Sequence, residues 1–155
     1  MTTQLAVTGL LAIATTLFAF RVNRELFTGG GVGRPTPLEA AFYFFGVLSL
    51  IIGWYFNVRY THHAHHPSYI NYTKALFTNW ASDSAAQDYI IVNVALLPLW
   101  SIVDGRRRGM KAPWIFFVMS LFTSCSFAMA FYLAFVERRI RLQVPVAEPA
   151  VSSTS

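Results

Sequence analysis

Charge is scarce in this chain. Only 12% of its 155 residues are Asp, Glu, Lys or Arg, about half of the roughly 25% usual in a soluble domain. Cysteine is nearly absent: Cys125 stands alone inside an apolar run, which excludes an internal disulfide and suits a small packing residue. No span contains a histidine, so haem held between two helices is excluded. A secretory leader is not expected either, because Arg21 and Arg24 follow the first apolar run instead of preceding it.

Apolar residues make up 55% of the chain, and the few charges cluster between long uncharged runs. A polypeptide crosses hydrocarbon without burying ions in this way. The net charge of +5 does not point to nucleic acid. The arginines sit beside apolar runs, where they meet lipid headgroups, so the expected partner is a lipid bilayer.

A helix needs about 20 apolar residues to cross a bilayer core, and four spans are expected on that basis, at about 3–20, 38–58, 84–103 and 112–136. The first is uncharged. The second opens at "RPTPLEAAFYFFG", where Thr36 suits an N-cap, Pro37 the first helical position and Glu39 a capping-box acid. The third is short: its uncharged part, Tyr89–Val103, covers only about 22 Å. A start near Ser84 lengthens it and carries Asp88 about one turn into the membrane, while Pro98 is expected to kink it. The fourth, Ala112–Val136, begins near Pro113 and closes on "ERR". The fold class is therefore all-α, an integral membrane bundle of four transmembrane helices forming one domain over 1–143. A disordered tail is expected at 144–155 and a flexible glycine link at "TGGGVG".

With four spans, Arg21, Arg24, Arg34, Arg106, Arg107, Arg108 and Lys111 share one side, and Arg59, Lys74, Arg138, Arg139 and Arg141 share the other. The positive-inside rule assigns the first set to the cytoplasm, and both termini with the histidine loop to the opposite side. Between the second and third spans, Ser68 is placed to cap a short helix carrying Tyr69, Tyr72, Leu76 and Trp80 at helical spacing; an ordinary loop is the alternative.

Few polar groups carry chemistry. His62, His63, His65 and His66 cluster in "THHAHHPS", and imidazoles at helical spacing hold zinc or copper. Pro67 and the interfacial position favour instead a solvated loop, and imidazole also titrates near neutrality. A di-iron desaturase is excluded, because it draws ligands from several histidine boxes and this chain has one. Asp88 is costly at membrane depth, by about 2.5–3.5 kcal/mol, unless it sits at the headgroup boundary as a first-turn acid; Asn93, deeper in the span, is its candidate partner. Ser120, Ser124 and Ala128, with Gly46 and Gly53, are expected to let helices approach closely. "DGRRRGMK" reads as a basic turn whose Arg106, Arg107 and Arg108 touch anionic headgroups.

From about Tyr43 to Arg141 the chain resembles a bacterial family of small multi-span membrane proteins catalogued as a domain of unknown function. The likeness rests on "LFTNWASDSAAQDYIIVN", "DGRRRGMKAPW" and "SFAMAFYLAFVERR". It implies a three-span core, with Asp88 as the acid opening the middle span and Asp104 to Lys111 as the glycine-bracketed basic turn. The first span and the four histidines are additions to that pattern.

Two functions follow as expectations. One is a non-enzymatic accessory subunit, working beside other membrane subunits, or a binder of an apolar lipid or isoprenoid-like small molecule, for which the 16% of aromatic residues supply the walls. The other is an isomerase or cyclase of an isoprenoid-like substrate, with Asp88 as proton donor and aromatic faces stabilising a carbocation. Metal binding by the histidines stands behind both. The sequence names no cofactor.

Overall fold

The computed structural model of the chain describes residues 2–28, 34–64 and 68–143. Its first helix, α1, runs over Thr2–Val22. The hydroxyls of Thr15 and Thr16 donate back to the carbonyls of Leu11 and Ala12, each at 2.8 Å, which satisfies them inside an apolar helix. A single turn, α2 (Glu25–Thr28), follows. Helix α3 spans Pro37–His63, with Thr36 accepting the N–H of Glu39 at 3.0 Å and Pro37 in its first turn, as expected. Ser68 caps α4, Tyr69–Leu76. That helix ends at Phe77, so Trp80 belongs to the next one, α5 (Trp80–Ile91), which Asn79 caps.

Pro98 leaves its mark on the span that α5 begins. It has no N–H to give the carbonyl four residues back, and its ring crowds that carbonyl. The helix answers with a π-turn over Val92–Leu96, in which Leu97 donates to Val92, and then continues as α6, Leu97–Arg107. Trp80–Arg107 thus stays one continuous rod. It is one of three helical stretches long and apolar enough to cross a membrane, with Leu5–Val22 and Pro37–His63.

The run Ala112–Val136, expected as a single span, is broken. Helix α7 covers only Ile115–Phe122, and α8 covers Cys125–Gln143. Ring contacts show how they meet: Phe116, at the start of α7, lies 5.3 Å from both Tyr132 and Phe135, late in α8. The two helices are therefore antiparallel, a hairpin folded at Thr123 and Ser124. Short hydroxyl side chains make that fold possible by replacing backbone partners. Thr123 donates its hydroxyl to Met119 O at 2.7 Å, and the Ser124 hydroxyl accepts the N–H of Phe127 at 3.0 Å as the N-cap of α8. Ser120, Ser124 and Ala128 consequently do not form one helix stripe.

The hairpin is the core of the bundle. Helix α1 covers α7, α3 lies along α8, and α6 touches both. Phe20, Phe27, Phe116 and Phe135 meet edge to face at its centre, with Phe135 and Phe116 fully or almost fully buried. Along α3 the contacts run in reverse order to α8: Glu39 meets Arg138, Tyr43 meets Phe131 and Ser49 meets Ser124. The tip of the hairpin thus stops near the middle of α3. Gly46 serves close packing as expected, since a Cβ there would lie 3.1 Å from Phe131; Gly53 faces open space instead.

The turn from α6 into the hairpin is tightly specified. Gly109 adopts φ 68°, and the N–H groups of Gly109 and Met110 return to the carbonyls of Arg106 and Gly105, which closes the helix by a Schellman motif. Gly105 itself lies inside α6, where a Cβ would come within 2.5 Å of the Pro113 ring. Gly105→Ala is expected to destabilise the protein by about 1–3 kcal/mol through overpacking. Gly53→Ala, with nothing near it, should be neutral or stabilising by up to about 1 kcal/mol. Thermal unfolding in detergent micelles checks both; equal melting temperatures for the two variants would remove the packing role of Gly105.

Candidate functional site

The ion pairs among the described residues gather at the end where α1 stops, α3 starts, α6 stops and α8 finishes. Glu39 is fully buried. It receives the Arg138 guanidinium at 2.7 Å and also pairs with Arg141. Arg138, itself buried, lies over the Phe27 ring at 4.5 Å. Arg141 donates a further bond to the carbonyl of Arg34 at 3.0 Å. The first turn of α3, the turn α2 and the end of α8 are locked together by these contacts.

Two smaller clusters complete this end. Buried Asn23 works as a backbone mimic: its amide donates to the carbonyl of Lys111 at 3.0 Å and its oxygen accepts the Lys111 N–H at 2.9 Å. The Lys111 ammonium donates to Glu25 at 2.7 Å and holds that exposed carboxyl below the usual carboxylate range. That contribution is present at neutral pH and is lost as pH falls through the lowered pKa; exposure keeps it small. Asp104 accepts from Arg108 at 2.7 Å and from the Tyr132 hydroxyl at 2.6 Å, while Arg139 donates to the carbonyl of Arg108 at 2.8 Å. Arg108 is therefore engaged within the fold. Arg106 and Arg107 are exposed and have no such partner among the described residues.

Beside this end, an apolar groove of about 570 Å³ runs along the outer face of the third span. Its walls are Val92, Leu96, Leu99, Trp100 and Val103, and Cys125 and Met129 of α8 form its floor. The wall residues fall three or four apart, so they form one helical stripe. Arg107 stands one turn beyond Val103 on that stripe, and Arg106 lies beside it.

The residues expected to carry chemistry are dispersed. Asp88 is exposed on α5 and accepts a hydrogen bond from the neighbouring Gln87. Asn93 is buried in the π-turn, its side-chain oxygen without a hydrogen-bond partner. They occupy different faces, and no bond joins them among the described residues. His62 and His63 are exposed in the last turn of α3, where the His63 ring pairs with the carbonyl of Arg59 at 2.7 Å. His65 and His66 lie outside the described residues, as do the link 29–33 and the tail 144–155. No cluster of three or more His, Cys, Asp or Glu residues suited to a metal occurs among the described residues.

Glu39, Arg138 and Asn23 were not singled out by sequence reasoning as one assembly. Glu39 reads as a cap acid, and a continuous fourth span puts Arg138 at the far end. The one signal for the true arrangement is "SLFTSCS", four hydroxyls and a cysteine clustered within an apolar run. Removing one partner of a buried ion pair costs about 3–5 kcal/mol, because the other charge is left unpaired. Glu39→Ala and Arg138→Ala are each expected to show that loss. The double variant Glu39→Leu, Arg138→Met should be more stable than either single one, as read by thermal unfolding in micelles; strict additivity would refute the pairing.

No curated protein and no solved structure matches the chain. A family profile described as "Protein of unknown function DUF2834" matches residues 41–138, from the first turns of α3 to the buried arginine of α8. The matched range nearly coincides with the stretch that carries the sequence likeness. It leaves α1 outside and includes the histidine stretch. By this match, the chain belongs to DUF2834, a family of proteins of unknown function.

Proposed function

We propose that this is a non-enzymatic membrane protein that holds an anionic amphiphile, with an acyl or isoprenoid-like tail in the groove of the third span and the headgroup on Arg106 and Arg107. One observation carries the reading: the apolar stripe Val92, Leu96, Leu99 and Val103 continues, one turn on, into an exposed arginine. A tail in the groove gains from burial, at about 25 cal/mol per Å², and the guanidinium offers a bidentate match to a phosphate. Trp100, on the same wall, has the amphipathic ring of a membrane interface. The proton-donor alternative finds less support: Asp88 faces outward and does not line this groove.

We infer the sidedness from the hairpin. Arg139 meets the carbonyls of Arg108 and Gly109, so Arg138, Arg139 and Arg141 join the arginines of the basic turn. Of the 12 Lys and Arg residues, only Arg59 and Lys74 then belong to the opposite end. The positive-inside rule places the crowded end in the cytoplasm with the C-terminus, and the N-terminus across the membrane. The hairpin enters and leaves on one face.

Both readings have tests. Protein purified from vesicles containing phosphatidylglycerol and phosphatidylcholine should retain the anionic lipid. Arg106→Gln with Arg107→Gln should lower that retention several-fold while leaving phosphatidylcholine unchanged; native mass spectrometry reads both. Unchanged retention of the anionic lipid would dispose of the headgroup site. For sidedness, a reporter at the C-terminus should read the same side as one inserted between Gly109 and Met110. Opposite sides would mean that 112–136 crosses after all.

A further inference from the structure

The hairpin leaves a hollow beneath its tip, at the end away from the basic turn. We propose that this hollow is a binding site for an uncharged planar ring bearing carbonyl oxygens, the quinone class. It is separate from the groove of the third span and does not rest on the amphiphile reading.

Its origin is architectural. Leu121, Phe122 and Thr123 form the roof, at the point where α7 stops, while α1 and α3 continue past them as the walls. The space is open on one side and has a cavity volume of about 100 Å³, enough for a single ring and too small for a polycycle.

Its chemistry is uncharged. No Asp, Glu, Lys, Arg or His is among its described lining residues, so none of these offers a charged ligand a counter-ion for its lost hydration. The hydroxyl protons of Thr61 and Thr123 are committed to backbone carbonyls, at 2.6 Å from Asn57 O and 2.7 Å from Met119 O. Thr8 is engaged as well; what remains is the side-chain amide of Asn57, the phenols of Tyr60 and Tyr72, and the Ser68 hydroxyl proton, the Ser68 oxygen accepting the N–H of Asn71 at 3.1 Å. The amide NH₂ and these hydroxyl protons need acceptors, and the complement of those donors is an acceptor; the Asn57 side-chain oxygen is an acceptor in its own right. Carbonyl oxygens on a neutral ring fit; a sugar, which needs donors and acceptors around its whole rim, does not.

The walls favour a flat π-system. A Cβ on Gly9 would lie 3.0 Å from the Trp54 ring, so the bare backbone of α1 supports the indole. Tyr60 and Tyr72 meet edge to face at 5.2 Å. Aromatic walls held in this way bind another ring by offset stacking or by their edges.

The test uses the full chain in phosphatidylcholine nanodiscs with Trp80, Trp100 and Trp114 changed to Phe, so that Trp54 alone fluoresces. A decyl-substituted benzoquinone should quench it saturably. Asn57→Leu should weaken binding about tenfold. Tyr60→Phe, which removes one oxygen and keeps the ring, should weaken it by about two- to tenfold. Decylbenzene, which has the tail and no oxygens, should fail to compete. The proposal is overturned by quenching that does not saturate, by both variants binding as tightly as the parent, by equal competition from decylbenzene, or by displacement by an alkyl maltoside at the same concentration.

Discussion

A carboxylate with no exposed surface cannot stand alone, and the arrangement of this bundle follows from how Glu39 is answered. Its partners, Arg138 and Arg141, belong to the last helix, so that helix must finish beside the first turn of α3. Because α6 also ends at this face, the chain between Arg107 and Arg138 has to leave and return. A single continuous helix over that stretch would carry Arg138 away from Glu39 and bury a lone charge, at a cost of several kcal/mol. The hairpin is the topology that keeps the pair together. Arg138 adds to this by stacking on Phe27 and reaching the carbonyl of Leu26 at 3.5 Å, which draws α2 into the same lock.

A hairpin that turns inside an apolar bundle must satisfy its own backbone, since hydrocarbon provides no partners. Thr123 and Ser124 supply hydroxyls to the groups that the break exposes, and Ser49 of α3 approaches the Ser124 hydroxyl at 3.4 Å. The two halves of the bundle therefore differ. Toward the basic end the hairpin fills the centre with Phe116, Tyr132 and Phe135, all buried. Beyond the tip the outer helices continue without it, and the space they enclose is walled by Trp54, Asn57 and Tyr60.

Much of the outline was legible in the sequence because it rests on local chemistry. Thr36 and Ser68 cap their helices through bonds spanning three residues, Gly109 takes the left-handed turn, and the uncharged runs become long helices. Three of the four expected spans correspond to membrane-length helices. What was not legible depends on partners distant in sequence. Nothing around Glu39 announces a partner about a hundred residues on, and nothing around Asn23 announces Lys111. The hairpin hid for a related reason: hydropathy sums over a window, and Thr123 and Ser124 are too few to lower it, although they break the helix. Asp88 shows a different limit of sequence reading. Depth is counted along the chain, exposure depends on the face of the helix, and Asp88 lies on an outward face.

The hairpin also changes what the charges say. Read on four spans, the arginines divide almost evenly and orient the protein weakly; read on the folded chain, they concentrate at one end. That end is not uniformly available. Arg108, Arg138, Arg139 and Arg141 spend their donors on Asp104, Glu39 and backbone carbonyls, so they set the fold and have little left for a headgroup. Arg106 and Arg107 are different because they project from the outer face of α6, the face that carries the apolar stripe. At the far end the hollow beneath the tip has the opposite character, aromatic and hydroxylic, with no charged side chain among its described lining residues, while Arg59 and Lys74 stand outside that lining. One structural choice, pairing Glu39 with an arginine of the last helix, thus separates the molecule into a basic end and a neutral hollow.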